Sequence, residues 1–401
     1  MRAGPWLVLA GLAAGPALAD DSFTQMERGR YIADAGDCMP CHTAPGGKPW
    51  AGGRAIETPF GNLVSPNVTP DRETGIGAWT DNEFADALQK GVGHGGEHLY
   101  PAMPYTYYTK VTREDVLAIR AYLNTLEPVV NKVRSNQLPF PFDIRANMLA
   151  WNEMFFTQGE YKPDTGKSAE WNRGAYLVRG LGHCGGCHTS KNALGGDEDS
   201  KALQGNVLQG WFAPNITNDE RTGLGKWSVD EVVQYLQTGH NSWAAASGPM
   251  AEVVQYSTSR LKTEDLHAIA VYLKDQPGQG GTATATATNA AGEAIYKDSC
   301  AACHFGNGEG QARMYPRLAL GPFVQSAEPT TLIRVVLEGM RSVGTPGQPT
   351  APAMPAYGWK LDDAEVAAVV TYVRNAWGNA ASAVGADDVA KMRKELAQRG
   401  D

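Results

Sequence analysis

All six cysteines of this chain belong to three copies of one short motif, Cys-x-x-Cys-His. The two thiols of such a motif form thioether bonds with the vinyl groups of haem, and the imidazole that follows lies beneath the ring and binds the iron. The cysteines and histidines of the three copies are Cys38, Cys41 and His42; Cys184, Cys187 and His188; and Cys300, Cys303 and His304. The sequence therefore predicts three covalently bound haems c.

Three other interpretations of these cysteines explain less. Disulfide bonds would leave the three adjoining histidines without a role. A tetrahedral zinc site needs four ligands, and each copy of the motif lacks the second cysteine pair that such a site requires. A redox-active pair of the thioredoxin type is expected between strands and a helix, and the sequence around the motifs does not have that pattern.

A second iron ligand is predicted from methionines at equivalent places in the repeats. Met103 and Met354 each stand in the tetrapeptide Pro-Ala-Met-Pro, and Met250 stands in the related Gly-Pro-Met-Ala. Met103 and Met250 follow the histidines of their motifs by 61 and 62 residues, and Met354 follows its histidine by 50. A thioether is a soft neutral ligand that favours ferrous iron and raises the reduction potential. The predicted iron ligands are thus His42 with Met103, His188 with Met250, and His304 with Met354.

Four other residues compete for the sixth iron position. They are His94 and His98 in the first repeat, His240 in the second and Met340 in the third. For the three histidines we favour exposed positions in Gly-rich loops.

The motifs recur within a longer internal repeat. Each motif follows a short helical segment, and each unit closes with an apolar helix. Units one and two also share a block that runs from Asn67 to Thr80 and from Asn215 to Ser228. Its tryptophans, Trp79 and Trp227, either donate an indole N–H to a haem propionate or pack in the core. Three glycines are expected to let the first and last helices of each unit cross closely: Gly29 with Tyr122, Gly174 with Tyr272, and Gly292 with Tyr372.

The repeats predict three tandem all-α domains, loop-rich and each built around a covalent haem. Predicted boundaries are a signal peptide (1–19), domain one (20–130), a connector (131–168), domain two (169–276), a flexible linker (277–287), domain three (288–380) and a C-terminal polar tail (381–401) with one helix near 387–397.

Charge and hydropathy restrict the partners. The net charge is −8, which disfavours binding to nucleic-acid phosphates. A positive start at Arg2, an apolar run and the segment Ala17-Leu18-Ala19 fit a cleaved secretory signal. No later stretch has the length and continuous apolar character of a transmembrane helix.

The connector contains the most apolar stretch of the mature chain, residues 138–156. Ile144, Met148, Trp151 and Phe155 follow helical spacing and are predicted to form one stripe. We favour packing between the first two domains. Two alternatives stay open: docking of a partner subunit, or contact with a membrane surface.

With these motifs in hand, the chain resembles the triheme cytochrome c subunits of bacterial membrane-bound alcohol, aldehyde and sugar dehydrogenases. The resemblance rests on the three haem motifs, the duplicated block, the Pro-Ala-Met-Pro segments and the order of two longer units and one shorter unit. It implies cytochrome c-like domains on the periplasmic side of the cytoplasmic membrane. It also implies a catalytic partner of quinoprotein, flavoprotein or molybdenum type, with ubiquinone as the electron acceptor.

The leading functional hypothesis is therefore an electron-transfer subunit without catalytic residues of its own. Six-coordinate haems leave no open position for a substrate, so the oxidation would occur in the partner. Two alternatives remain: a self-contained haem enzyme of the peroxidase type, which needs an open iron, and a soluble periplasmic electron shuttle.

Overall fold

The computed structural model describes residues 17–134, 136–280 and 289–399. Most of the predicted signal peptide (1–19) and of the predicted linker (277–287) lies outside the described residues. The first helix begins at Ala17 and continues across the predicted cleavage site after Ala19. Among the described residues, no helix is both long enough and apolar enough to cross a membrane.

Helices dominate each repeat and carry the motifs. Unit one contains α1 (Ala17–Ala35), α2 (Cys38–Cys41), α3 (Asp81–Lys90), α4 (Tyr105–Tyr108) and α5 (Arg113–Leu123), and the connector contains α6 (Asn147–Phe155). Unit two contains α7 (Ala169–Tyr176), α8 (Gly185–His188), α9 (Val229–Thr238), α10 (Gly248–Tyr256) and α11 (Thr263–Lys274). Unit three contains α12 (Ala290–Ser299), α13 (Ala301–His304), α14 (Pro322–Gln325), α15 (Thr330–Glu338), α16 (Asp363–Val373) and α17 (Ala386–Gln398).

The prediction of a purely α-helical fold needs one correction, because each unit also contains a short antiparallel hairpin. The hairpins are β1 (Ala55–Thr58) with β2 (Gly61–Val64), β3 (Asn206–Leu208) with β4 (Trp211–Ala213), and β5 (Met340–Arg341) with β6 (Ala353–Met354). These strands are two to four residues long, which is too short to give the alternating pattern by which strands are read from sequence.

The predicted close helix crossings are confirmed. A Cβ atom on Gly29 would lie 1.8 Å from the carbonyl oxygen of Ala118, and one on Gly174 would lie 1.9 Å from that of Ala268. In unit three the corresponding distance from Gly292 to Ala368 O is 2.2 Å. Real side chains cannot approach a backbone oxygen so closely, so glycine is required where α1, α7 and α12 cross α5, α11 and α16.

Units one and two share a single hydrophobic core, which runs from Ile32 in α1 to Leu273 in α11. Two matching contacts join them. Tyr31 of unit one donates to Asp265 Oδ2 of unit two at 2.6 Å, and Tyr176 of unit two donates to Asp115 Oδ2 of unit one at 2.5 Å. Each hydroxyl therefore reaches the start of the other unit's closing helix, so the two units pack as a pseudo-symmetric pair.

In each of these contacts the aspartate also pairs with an arginine of its own unit. Arg173 contacts Asp265 at 2.7 Å, and Arg28 contacts Asp115 at 2.6 Å. The carboxylates lie within a largely buried interface, and the paired hydrogen bonds compensate for their loss of water.

Unit three has a separate core, and the predicted polar tail belongs to it. The tail helix is present as α17, close to its predicted position, but it packs against α15 and α16. Val389, Met392 and Leu396 are buried on its inner face. Their spacing of three and four residues gives the helix one apolar side, so the segment is part of the domain.

The helix α6 of the connector packs through one face. Trp151 is 8% exposed, and its indole N–H donates to Leu194 O in unit two at 2.9 Å. Tyr105 of unit one donates to Asn152 at 2.7 Å. Packing between the first two units is thus confirmed for this face. The predicted stripe is wrong at Ile144, which is exposed because α6 begins three residues later.

Candidate haem-binding sites

Each motif forms one tight helical turn. Residues 38–41 make up α2, and His42 follows as its C-cap residue. The same turn recurs in α8 and α13, each of which ends on the histidine of its motif. Since residues three apart lie on the same side of a helix, both thiols of each motif face in one direction, as two bonds to one porphyrin edge require.

A carbonyl oxygen orients the histidine in every unit. The Nδ1 atoms of His42, His188 and His304 lie 2.8, 2.7 and 3.0 Å from the carbonyl oxygens of prolines. The three prolines are Pro66, Pro214 and Pro316. Because a carbonyl only accepts hydrogen bonds, Nδ1 carries the hydrogen and Nε2 keeps its lone pair. Histidine ligands of metals typically have their second nitrogen held in this way.

The role of these prolines was not predicted, although the sequence contains a signal for two of them. Pro66 and Pro214 directly precede the duplicated block that begins at Asn67 and Asn215. The duplicated block therefore begins at least one residue earlier, at Pro66 and Pro214. The carbonyl group of this proline sets the orientation of the histidine.

The pKa shifts of the motif residues fit neutral histidine ligands and protonated thiols, not reactive thiolates. Burial lowers the pKa of His42, His188 and His304, with the proline carbonyls acting in the opposite direction. The imidazoles are therefore neutral, as iron binding requires. Burial raises the pKa of Cys184 to about 12 and that of Cys300 to about 11. A thioredoxin-type pair needs a lowered thiol pKa, and none of the six cysteines forms a disulfide.

Unit three has a cavity that brings its predicted ligands together. The cavity is lined by Cys300, Cys303, His304 and Met354, among others. Met340 also lines it and is the direct partner of Met354 in the β5–β6 pair. Paired residues of antiparallel strands project to the same side. Both thioethers are therefore on the cavity side, and Met354 remains the predicted ligand on the strength of its tetrapeptide.

The other two methionines lie at the edge of the shared core. Met103 and Met250 are partly buried and pack against the shared core, as Cys38 and Cys184 also do. Their assignment as iron ligands of units one and two stays a prediction.

The structure gives His94 and His240 other side-chain contacts, whereas His98 is half-buried instead of exposed and its Nδ1 atom has no hydrogen-bond partner among the described residues. His94 is exposed, stacks on Trp79 at 5.7 Å between ring centroids and pairs with Glu83 at 3.0 Å. The expectation of an exposed position is wrong for His240, which is only 1% exposed. Its Nε2 atom is bonded to residues of unit three.

Trp227 is among the buried donors that lack a partner in the described part of the chain. The indole Nε1 of Trp227 is buried and has no hydrogen-bond partner among the described residues. An unpaired buried N–H is costly unless a ligand accepts from it. This observation favours the propionate interpretation for Trp227 over plain packing, and it agrees with a haem held by His188.

The first two motifs lie next to each other across the shared core. The ring of Tyr107, which follows Met103 in sequence, lies against Gly185 of the second motif. Conversely, the helix α10 of unit two packs against α2, where Arg54 donates to Glu252 at 2.8 Å. Each unit's methionine segment therefore contacts the cysteine motif of the other unit.

A carboxyl group stands beside both of these motifs. Asp37 directly precedes Cys38, and its Oδ1 atom is buried without a partner among the described residues. Burial, with a smaller contribution from Glu252, raises the pKa of Asp37 to about 8. Burial and, to a lesser degree, the charge of Asp37 raise the pKa of both Cys41 and Cys187.

Comparison with known proteins agrees with this geometry. A sequence model of the cytochrome c family matches residues 26–127 and 289–377. The chain is 39% identical over 415 positions to the gluconate 2-dehydrogenase cytochrome c subunit of Pantoea cypripedii, covering 97% of this chain and 94% of that protein.

Two further relatives are similar over nearly the whole chain. The cytochrome c subunit of the quinone alcohol dehydrogenase of Gluconacetobacter polyoxogenes is 37% identical over 95% of this chain and 87% of its own length. The fructose dehydrogenase cytochrome subunit of Gluconobacter japonicus is 37% identical over 92% of this chain and 82% of its own length.

The chain belongs to the cytochrome c subunits of membrane-bound dehydrogenases. Covalently bound haem c and electron transfer come with that family. In a subunit of this family, the carbonyl-oriented histidines are the residues that fit the iron, and the paired thiols fit the porphyrin edge.

Proposed function

We propose that this cytochrome c subunit holds three haems c and relays electrons from a periplasmic dehydrogenase subunit to ubiquinone. The observation that carries the proposal is the recurrence of one arrangement in three units: a paired-thiol turn whose histidine is fixed by a proline carbonyl. Bound haem supplies one-electron redox chemistry there. The protein's part is to hold each imidazole neutral and oriented, and to supply Met103, Met250 and Met354 as sixth ligands.

The arrangement of the units supports a relay. Each of motifs one and two contacts the methionine segment of the other unit, and the unit three cavity has Ala245 of unit two in its wall. Electron exchange therefore has a continuous protein route through the chain. Substrate oxidation would belong to a catalytic partner of quinoprotein, flavoprotein or molybdenum type, which is in line with relatives that are named as cytochrome c subunits of dehydrogenases.

A carbon monoxide titration of the reduced, purified protein tests the relay against the peroxidase alternative. We expect no tight binding at any haem, because each iron has a histidine and a thioether ligand. Tight binding at one haem would favour a haem enzyme of the peroxidase type.

Co-purification tests the relay against the shuttle alternative. We expect the cytochrome to purify from membranes together with a large dehydrogenase subunit. Recovery of the cytochrome alone from the soluble fraction would favour a shuttle.

We further propose that the connector attaches the subunit to the surface of the cytoplasmic membrane. Five apolar side chains of the connector are exposed and form what we call the connector surface: Phe140, Phe142, Ile144, Leu149 and Met154. Phe140 is 79% exposed and Leu149 is 55% exposed. Neighbouring exposed apolar side chains of this size are typical of an interaction site.

Replacing Phe140 and Leu149 together by serine should release the cytochrome from membranes. Each buried apolar side chain contributes about 1.5–3 kcal/mol, so losing two weakens a peripheral contact strongly. Fractionation of membranes by centrifugation measures the effect. The control is Trp359→Ser in unit three, which removes an equally exposed side chain (83%) elsewhere.

The haem content of both variants should stay normal, because neither change touches a motif. If the double variant stays on membranes, the connector surface is not the attachment site. If it stays on membranes but loses the dehydrogenase subunit, the surface docks the partner instead.

A further inference from the structure

A loop of unit two reaches into the wall of the unit three cavity. Residues 240–246 follow α9, and a bridge between His240 and Ala245 closes the loop. Ala245 lines the same cavity as His304 and Met354. The loop is therefore in contact with the site that unit three builds around its motif.

His240 forms the polar centre of this contact. Its Nε2 atom lies 2.9 Å from Ser342 Oγ and 3.1 Å from Val343 O, both in unit three. The Ser342 hydroxyl donates to Ala246 O at 3.0 Å. Because the hydroxyl hydrogen is used there and the Val343 carbonyl only accepts, Nε2 must carry the hydrogen. His240 thus donates across the boundary between the two units.

Apolar and backbone contacts surround the histidine. Val343 is buried with Ala246 and Val254, and Met250 packs against this small cluster. An added Cβ on Gly239 would lie only 2.3 Å from Val343 Cγ1. The residues that precede the predicted ligand of unit two are therefore in direct contact with the segment that follows β5.

The next residues of the loop make two further contacts with unit three. The backbone N–H of Arg313 donates to Asn241 O at 3.2 Å. The guanidinium of Arg317 lies 5.1 Å from the ring centre of Trp243, close enough for a cation–π contact. The loop thus touches unit three at two separate places, the segment after β5 and the segment that precedes α14.

The internal repeat offers a natural comparison. The residue of unit one that corresponds to His240 is Val92: each follows the glycine that ends the preceding helix, Gly91 or Gly239, and each enters a β-bridge. A valine cannot donate a hydrogen bond. The donor is thus found in the copy of the loop that faces unit three.

We propose that His240 is a positioning residue that fixes unit three against unit two by holding the segment after β5. Ser342 and Val343 continue directly from β5, and β5 pairs with the strand that contains Met354. The contact therefore sets where the cavity of unit three stands relative to Met250. Only its consequence for electron transfer rests on the proposed function, since the contact itself is a property of the folded chain.

Amide hydrogen exchange of the full-length, haem-loaded chain tests the proposal. In His240→Ala, exchange in residues 340–354 should become about tenfold faster, which corresponds to about 1.4 kcal/mol. His240→Gln should restore most of the protection, because its side-chain amide can donate to Val343 O. The matched control is Val92→Ala in unit one, which should leave exchange in residues 340–354 unchanged.

Ser342→Ala probes the same contact from the other side and should also speed exchange in this hairpin. Unchanged exchange in both His240→Ala and Ser342→Ala would overturn the proposal. So would the appearance of carbon monoxide binding in His240→Ala, because His240 would then be an iron ligand. Neither readout depends on a dehydrogenase or on quinone, so failure of the proposed function would not alter them.

Discussion

Replacing Cys38 and Cys41 by alanine should lower the haem content of the exported protein from three to two per chain. The thioether bonds are the only covalent connection between haem and protein, and both thiols of the first motif are removed. His42 and the predicted ligand Met103 would then hold the haem only by their bonds to iron, which purification would break. Haem content per chain, measured by absorbance against protein concentration, gives the result.

The effect on the rest of the chain should be confined to the first two units. α2 packs against α10, and the cores of units one and two are continuous, so loss of the first haem should reduce the stability of both. Unit three has its own core and should keep its haem. Met39→Leu is the matched control: it changes a side chain between the two cysteines with little change in volume, and three haems should remain.

A haem count that stays at three in the alanine variant would contradict attachment at this motif. A count of one would mean that the second haem is lost with the first. In that case the reciprocal contacts of Tyr107 and α10 would be essential for haem attachment in both units. The count of two is the result expected if each motif binds its haem independently.

The parts of the structure that were predicted correctly depend on residues close in sequence or repeated along it. Gly29 and Tyr122 were paired because the same two residue types recur in all three units, and a close helix crossing requires such a pair. The tail helix α17 was predicted near its observed position because helix-forming residues are consecutive.

Other parts were missed because they depend on contacts between units. Tyr31 and Asp265 are 234 residues apart in sequence, and no local pattern links a tyrosine in one helix to an aspartate in another unit. His240 was expected to be exposed because its loop is rich in small and polar residues. Its burial arises from unit three, whose position relative to unit two is not encoded in either segment alone.

Replacing Met354 by alanine should lower the reduction potential of one haem and leave the others unchanged. The thioether stabilises ferrous iron, and water or another nearby group would replace it. Axial ligation sets haem potentials over about 0.8 V, so a decrease on the order of 0.1 V or more is expected. A spectroelectrochemical titration of the purified subunit measures all the potentials together.

Met340 provides the matched control for this change, since it lines the same cavity and faces Met354 across the β5–β6 pair. Met340→Ala should leave every potential nearly unchanged. The reverse result would assign the ligand to Met340 and reject the Pro-Ala-Met-Pro pattern as its signature.

Met103→Ala then decides whether the pattern holds in unit one. Because the tetrapeptide of unit one is identical, the reduction potential of one haem should again decrease. An unchanged set of potentials would remove Met103 from the assignment. Two losses in the two Pro-Ala-Met-Pro variants and none in the Met340 variant would establish that the tetrapeptide, and not the mere presence of a thioether at the cavity, selects the iron ligand.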